Sequence, residues 1–138
     1  MLLLDTNILS EIIKPAPNPF VLEWADQKRG SFGTTAICLA ELAAGVAQLP
    51  EGRRKSRMVD AVDAIVLPML DYVVPFDDQA ARVYGQLAAT LKRNGTLIGA
   101  MDTMIASVAL ANDATLVTRN VKHFSLTTVK WENPFTFG

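Results

Sequence analysis

The chain has very few residues of the types on which many metal and nucleophile sites depend. Its 138 residues include one cysteine, Cys38, and one histidine, His123. These counts exclude a disulfide within the chain, a zinc site with two or more histidines, and acid–base catalysis by a histidine pair. The sequence has no glycine-rich phosphate loop followed by lysine and no Gly-x-Ser-x-Gly motif. Cys38 lies in an apolar helical run, so we expect a buried structural thiol rather than a nucleophile.

Long apolar runs and an excess of one charge are missing as well. The N-terminus has no basic segment, only a very short apolar run, and an acid at position 5. We therefore expect neither a signal peptide nor a membrane span. The net charge is −1, so any nucleic-acid contact has to come from a local basic patch. The lone cysteine suits a reducing cytoplasm, and the length suits one domain over residues 1–138.

Short apolar segments alternate with helical patterns along the chain. Leu2–Leu4 predict a strand buried on both faces, and residues 72–74 and 115–117 predict further strands. Between them we expect helices, including one from Asn18 to Gly30 and one that starts at Arg53 and is closed by Pro68. This alternation is typical of a parallel sheet with helices on both faces.

Three isolated acids lie in settings that suit a shared site. Asp5 directly follows the first strand, Glu41 is the only charge in an apolar helix, and Asp102 falls in the first turn of a later helix. The carboxyl ends of parallel strands border the ligand crevice of such sheets. Each acid also has a plain structural interpretation. Asp5 or Thr6 can be a helix N-cap, Glu41 a surface residue, and Asp102 an acid stabilised by the helix dipole.

Carboxylates that are brought close together repel one another, and the pKa of at least one of them should rise. Such a cluster either shares a proton or binds a hard cation. Mg²⁺ prefers oxygen ligands and keeps several waters, so two or three carboxylates suffice. Because pairs of histidine and cysteine are missing, we predict a divalent-cation site that activates water for the in-line displacement of a phosphodiester.

A basic run opens the helix after residue 52, where Arg53, Arg54, Lys55 and Arg57 provide four cations in five residues. Most such runs are merely solvated, and positive charge at a helix start is opposed by the helix dipole. The alternative is contact with nucleic-acid phosphates. The functional hypothesis is RNA binding by these four residues together with Arg119.

Four short segments form a pattern through their order and spacing. They are Leu4–Glu11 (LDTNILSE), Ala40–Leu42 (AEL), Asp102 followed by Ile105 and Ala106, and Val117–Asn120 (VTRN). This pattern resembles the PIN domain. More narrowly, the chain resembles the VapC toxins of bacterial toxin–antitoxin pairs in the FitB-like branch, with further similarity at residues 17–19 and 49–54.

The resemblance implies a three-layer α/β/α sandwich with a central, mainly parallel sheet, and a ribonuclease that depends on Mg²⁺ or Mn²⁺. Asp5, Glu41 and Asp102 match the acidic positions of the family and are the expected metal ligands. Thr6 and Thr118 match residues that support these acids. The resemblance also implies a homodimer, inhibition by a cognate VapB-type antitoxin, and contact with DNA only indirectly through that antitoxin.

The chain departs from the family pattern at a fourth acid. Many relatives have Asp at the position of Asn120, or just before the phenylalanine that matches Phe124, where this chain has His123. We expect Asn120 to orient a metal-bound water through its amide and His123 to be a surface residue. A site with three carboxylates should bind a second metal weakly, so the expectation is activity with a high metal requirement.

Two other functions stay open at this point. One is a catalytically weak PIN-domain interaction module that acts mainly as antitoxin partner and co-repressor, which the missing fourth acid allows. The other is a phosphohydrolase with Asp5 as nucleophile. Asn7 argues against it, because the best-known family of that kind has a second Asp at this position.

Overall fold

Five parallel strands form the centre of the computed structural model, which describes residues 1–28 and 32–137. The strands are β1 (Leu2–Leu4), β2 (Phe32–Thr35), β3 (Tyr72–Val74), β4 (Thr115–Val117) and β5 (Lys130–Glu132). Their order is β3-β2-β1-β4-β5, and each neighbouring pair is parallel. The predicted parallel sheet is therefore confirmed.

Helices pack on both faces of this sheet. In chain order they are α1 (Thr6–Ile12), α2 (Pro19–Gln27), α3 (Ala36–Ala47), α4 (Arg53–Ala61), α5 (Leu67–Met69), α6 (Asp78–Arg93), α7 (Ala100–Ala111) and α8 (Val121–Phe124). Leu3 belongs to the same core cluster as Ile105 of α7, whereas Leu4 belongs to a second cluster with Trp24 of α2. Successive strand residues point to opposite faces. The two buried leucines thus confirm a strand covered on both sides and a three-layer sandwich.

The helices at Asp5 and Asn18 begin where the sequence predicts, and two further helices begin at capping residues of the same kind. Asp5, Asn18, Thr35 and Asp77 are the N-caps of α1, α2, α3 and α6, and each side chain accepts a hydrogen bond from a backbone N–H of the first turn. The predicted end of the second helix, at residues 29–30, lies outside the described residues.

The helix that was expected from Arg53 to Pro68 is not one continuous α-helix. α4 ends at Ala61, a π-helical segment spans Val62–Val66, and Pro68 lies within α5, which ends at Met69. In a regular α-helix, a proline ring clashes with the carbonyl four residues earlier. The wider π turn just before the proline changes that hydrogen-bond register, so the helical path continues past it.

None of the helices in ranges 1–28 and 32–137 is long and apolar enough to cross a membrane. The longest, α6, has 16 residues and carries charged side chains at both ends.

The strand order creates a crevice beside β1. After β1 the chain builds β2 and β3 on one side of it, and later builds β4 and β5 on the other. Ligands bind at such a switch point, outside the carboxyl ends of the strands, because the connections there diverge. Asp5 directly follows β1, and Thr118 directly follows β4 at the same edge.

Candidate active site

Asp5 accepts hydrogen bonds on both of its carboxylate oxygens. Its Oδ1 accepts from the backbone N–H of Thr6 at 2.8 Å and lies 3.5 Å from the Cys38 thiol. Its Oδ2 accepts from the Thr118 hydroxyl at 2.7 Å and from the Asn7 amide at 3.2 Å. The residue is only 4% exposed, so these donors replace the water that burial removes. Asp5 is thus both the N-cap of α1 and a fixed carboxylate at the crevice.

Burial raises the pKa of the Asp5 carboxyl. Loss of water is the largest cause, the hydrogen bonds from Thr118 and Thr6 oppose it, and the negative charge of Asp102 adds to it. In the part of the chain that the structure describes, no lysine or arginine pairs with Asp5, Glu41 or Asp102. A buried carboxylate without a paired cation favours the binding of a positive ion.

Glu41 approaches Asp5 from α3. The Thr6 hydroxyl donates to its Oε1 at 2.7 Å, and its Oε2 has no hydrogen-bond partner among the described residues. One ligand atom from each of Asp5, Cys38 and Glu41 lies within 4.8 Å of the other two. The geometry therefore agrees with the interpretation of Glu41 as an acid directed into a crevice, with Thr6 holding it in place.

Asp102 lies in the first turn of α7, which the chain enters through Gly99 at a φ of +81°. Glycine tolerates this left-handed conformation, which other residues rarely adopt. The Oδ2 of Asp102 is 2.9 Å from Nδ1 of His123 and accepts from the Asn120 amide at 3.3 Å. Among the described residues, Asp102 is not part of the group within 4.8 Å, although its charge acts on Asp5. Asp5 and Glu41 thus belong to one compact group of ligand atoms, and Asp102 lies outside that group.

The residues after β4 support these acids. Thr118 is fully buried and, besides donating to Asp5, accepts the backbone N–H of Asn120 at 2.9 Å. The backbone N–H of Arg119 donates to Asn7 Oδ1 at 3.2 Å, which links this segment to the start of α1. The predicted supporting residue Thr118 is therefore in contact with the first acid.

Sequence reasoning assigned no site role to Asn7 or His123, although both contact the acids. His123 was expected on the surface. Its side chain is 42% exposed, yet its ring contacts Asp102. Asn7 could have been found from its place two residues after Asp5 at a strand end, where polar groups converge. No spacing rule predicted His123, because the packing of α8 against α7 brings it there.

Comparisons with known proteins decide the family. A profile of the PIN domain matches residues 2–128. The chain belongs to the PIN domain family. The resemblance that was drawn from the four sequence segments is thereby confirmed.

Relatives of this PIN domain match over almost their entire length. VapC ribonuclease Y4jK from Sinorhizobium fredii is 37% identical over 137 residues, which cover 98% of both chains. Toxin FitB from Neisseria gonorrhoeae is 35% identical over 137 residues, covering 98% of this chain and 99% of FitB. A solved structure of FitAB bound to an IR36 DNA fragment superposes with a TM-score of 0.91 at 34% identity, covering all of this chain and 98% of the matched one. The observed sandwich is thus the fold of these relatives.

Cys38 completes the cluster of ligand atoms but is a poor metal ligand. Burial, with the nearby charge of Asp5 as a second cause, raises the pKa of its thiol to about 12. The sulfur therefore keeps its proton at neutral pH and is neither a thiolate ligand nor a nucleophile. The prediction of a buried thiol is confirmed. The other side chains of this cluster offer carboxylate oxygens, the donor atoms that suit hard cations such as Mg²⁺ and Mn²⁺.

The four residues of the basic run differ in their exposure and in their partners. Arg53, Arg54 and Arg57 are exposed on α4. Lys55 instead pairs with Glu51 at 2.6 Å and donates to a backbone carbonyl of α3. The three arginines are therefore the more available members of this run.

A groove of about 260 Å³ extends from Glu41 to α4. Thr6 and Glu41 line its end at the crevice, and Lys14 and Arg54 contribute positive charge along it. Arg119 lies elsewhere, with its guanidinium stacked 4.4 Å above the Phe135 ring. Of the predicted RNA-binding residues, Arg54 thus shares this groove with Glu41.

Proposed function

We propose that this PIN domain is a metal-dependent endoribonuclease that hydrolyses RNA phosphodiesters and acts as the toxin of a VapBC-type toxin–antitoxin pair. The observation that carries the proposal is the meeting of Asp5 and Glu41 at the switch point of the sheet, with Asp102 beside them. Each carboxylate is held by named donors, and none pairs with a lysine or an arginine among the described residues. Relatives named VapC ribonuclease and toxin FitB support the same activity.

Asp5, Glu41 and Asp102 are the proposed metal ligands. When bound, Mg²⁺ or Mn²⁺ lowers the pKa of a coordinated water and offsets the negative charge that develops during the in-line displacement. Oε2 of Glu41 and Oδ1 of Asp102 have no hydrogen-bond partner in the described part of the chain. These two oxygens can therefore face a cation without losing an existing bond. Thr6 and Asn120 hold the opposite oxygens of the same carboxylates.

The metal requirement follows from the ligand count. Asn120 and His123 add no negative charge, so three carboxylates have to hold the cations. We expect a second cation to bind weakly and activity to rise up to high Mg²⁺ concentrations. Full activity at trace Mg²⁺ in a titration against metal-stripped protein would overturn this expectation.

RNA is expected to contact the exposed arginines of α4. The triple variant Arg53→Gln, Arg54→Gln, Arg57→Gln should bind RNA more weakly and with a shallower salt dependence. Each lost phosphate contact lowers the slope of log affinity against log salt by about 0.7 for single strands. The double variant Lys92→Gln, Arg93→Gln, at the exposed end of α6, is the control and should keep the slope. An unchanged slope in the triple variant would exclude the arginines as RNA ligands.

We further propose that the protein is a homodimer in the cytoplasm, that a cognate VapB-type antitoxin inhibits it, and that it reaches DNA only through that antitoxin. The solved FitAB complex on a DNA fragment supports this assembly. A catalytically weak interaction module has no specific observation in its favour, because the described acids keep their supporting hydrogen bonds.

Growth on expression separates the two functions. Wild-type protein expressed without antitoxin should arrest bacterial growth, and folded Asp5→Asn and Asp102→Asn variants should not. Asp113→Asn is the matched control, because Asp113 is an exposed acid that pairs only with Lys130 in the described structure. Arrest by Asp5→Asn as strong as by wild type would contradict the nuclease and favour the interaction module.

A further inference from the structure

His123, Asn120 and Asp102 form a closed triangle of side-chain contacts. Nδ1 of His123 lies 2.9 Å from Oδ2 of Asp102 and 3.0 Å from Nδ2 of Asn120. Nδ2 of Asn120 in turn lies 3.3 Å from the same Oδ2. Two nitrogens therefore converge on one carboxylate oxygen.

The geometry decides which ring nitrogen of His123 carries the proton. An unprotonated Nδ1 and a carboxylate oxygen are both acceptors, so at 2.9 Å they would repel each other. The proton therefore lies on Nδ1 and is donated to Oδ2 of Asp102. The Asn120 amide then donates to Oδ2 as well, since a protonated Nδ1 cannot accept its hydrogen. Oδ1 of Asp102 receives no hydrogen bond from any described residue.

The ring is held by the core beneath it. His123 belongs to the four-residue helix α8, and the next residue, Phe124, is fully buried in the core cluster that contains Ile105 of α7. Because Asp102 is on α7 as well, the packing of Phe124 fixes the distance between the imidazole and the carboxylate.

We propose that His123 is a positioning residue of the metal site, which fixes Asp102 through the Nδ1–H donor so that Oδ1 is presented to the cation. This inference rests on the proposed nuclease function and deepens it. Hydrogen-bond partners behind a ligand orient it and strengthen metal binding, commonly by about 10- to 100-fold. Nε2 of the ring has no partner among the described residues.

The tautomer can be measured without metal. His123 is the only histidine of the chain, so uniformly ¹⁵N-labelled protein gives the ring signals of a single imidazole. The ¹⁵N shifts distinguish a ring protonated on Nδ1 alone, on Nε2 alone or on both nitrogens, and the tautomer is read where the shifts show a single ring proton. We expect the Nδ1–H tautomer in the wild-type protein and loss of this preference in Asp102→Ala. A ring protonated on Nε2 in the wild type would overturn the proposal.

Measurements of metal affinity test whether His123 strengthens cation binding through Asp102. In Mn²⁺ and Mg²⁺ titrations by calorimetry, His123→Ala and His123→Gln should bind about 10- to 100-fold more weakly. His123→Asn should retain affinity within a few-fold, because its amide nitrogen takes nearly the place of Nδ1, whereas that of glutamine takes the place of Nε2. Lys122→Ala, an exposed neighbour on α8, is the control and should bind as the wild type does.

The outcomes separate this inference from the proposed function. Wild-type affinity in His123→Ala, or rescue by glutamine instead of asparagine, would overturn the positioning role and leave the nuclease standing. A wild-type protein that binds neither cation and cleaves no RNA would overturn the nuclease and the positioning role together.

Discussion

Replacing Thr118 by valine tests how the crevice holds Asp5. The Thr118 side chain is fully buried; its hydroxyl donates to Oδ2 of Asp5 at 2.7 Å and accepts the backbone N–H of Asn120 at 2.9 Å. Valine has nearly the same shape and lacks the hydroxyl. The hydroxyl also accepts a longer hydrogen bond from the Asn7 amide at 3.4 Å. The substitution therefore removes all three hydrogen bonds without leaving a large cavity.

The expected loss of stability depends on which hydrogen bonds Asp5 keeps in the variant. A hydrogen bond to a charged group contributes about 1.5–3 kcal/mol to the free energy of unfolding. Asp5 keeps the donors of Thr6 and Asn7, so we expect Thr118→Val to lower the free energy of unfolding by about 2 kcal/mol. Because Asp5 also loses a partner that orients it, Mg²⁺ affinity should fall about 10- to 100-fold.

The assay combines urea unfolding with Mg²⁺ titration, and Thr127→Val is the matched control. Like that of Thr118, the Thr127 hydroxyl donates to one acceptor, the Phe124 carbonyl at 2.7 Å, and accepts from a backbone N–H, that of Val129 at 3.2 Å. Both variants should lose stability, but only Thr118→Val should lose metal affinity. If the two variants bound Mg²⁺ equally well, the reasoning that links Thr118 to the metal site through Asp5 would be refuted.

Other predictions concern charge burial and close packing. The pKa of Asp5 in the folded chain is raised above the unfolded value of about 3.9. Its contribution to stability is therefore complete below the unfolded value and is lost as the pH rises through the folded value. In metal-free protein, the unfolding free energy of the wild type minus that of Asp5→Asn should accordingly fall with rising pH, and a difference that rises in urea titrations would contradict the burial argument. Gly33→Ala directs a Cβ into the Tyr72 ring, so it should cost about 1–3 kcal/mol in thermal or urea unfolding. Gly45→Ala lies on α3 with no atom near the new methyl group, so it should instead raise stability by up to about 1 kcal/mol. A loss of stability in this variant would contradict the argument that the site has room for a methyl group.

The position of Asp5 was predictable because local signals determine it. A short run of leucines followed at once by an acid predicts a buried strand end, and the structure shows Leu3 and Leu4 buried on opposite faces. Glu41 was predictable for a related reason, since a lone charge among apolar helix residues is expected to face a crevice rather than solvent. The N-cap interpretation of Asp5 is confirmed, because one carboxylate oxygen caps α1. The other oxygen accepts from Thr118 at the crevice, so the cap does not conflict with the proposed role as a metal ligand.

The remaining features depend on contacts between distant segments. His123 reaches Asp102 because Phe124 packs against α7, and no periodicity in the sequence encodes that contact. The π-helical segment before Pro68 was not predictable either. A proline normally signals the end of a helix, and only the backbone hydrogen-bond register of the structure shows that the helical path continues past it. The place of Asp102 outside the group of Asp5, Cys38 and Glu41 likewise depends on where α7 begins, after Gly99.

The central claim is tested most directly by incubating total RNA with the purified, antitoxin-free protein in Mg²⁺, in Mn²⁺ and in EDTA, with Asp5→Asn beside it. The account predicts discrete fragments with either metal, none with EDTA, and none with a folded Asp5→Asn variant. Fragments that persist in EDTA or with Asp5→Asn would contradict the carboxylate–metal site. Intact RNA from folded wild-type protein at high Mg²⁺ would contradict the nuclease itself.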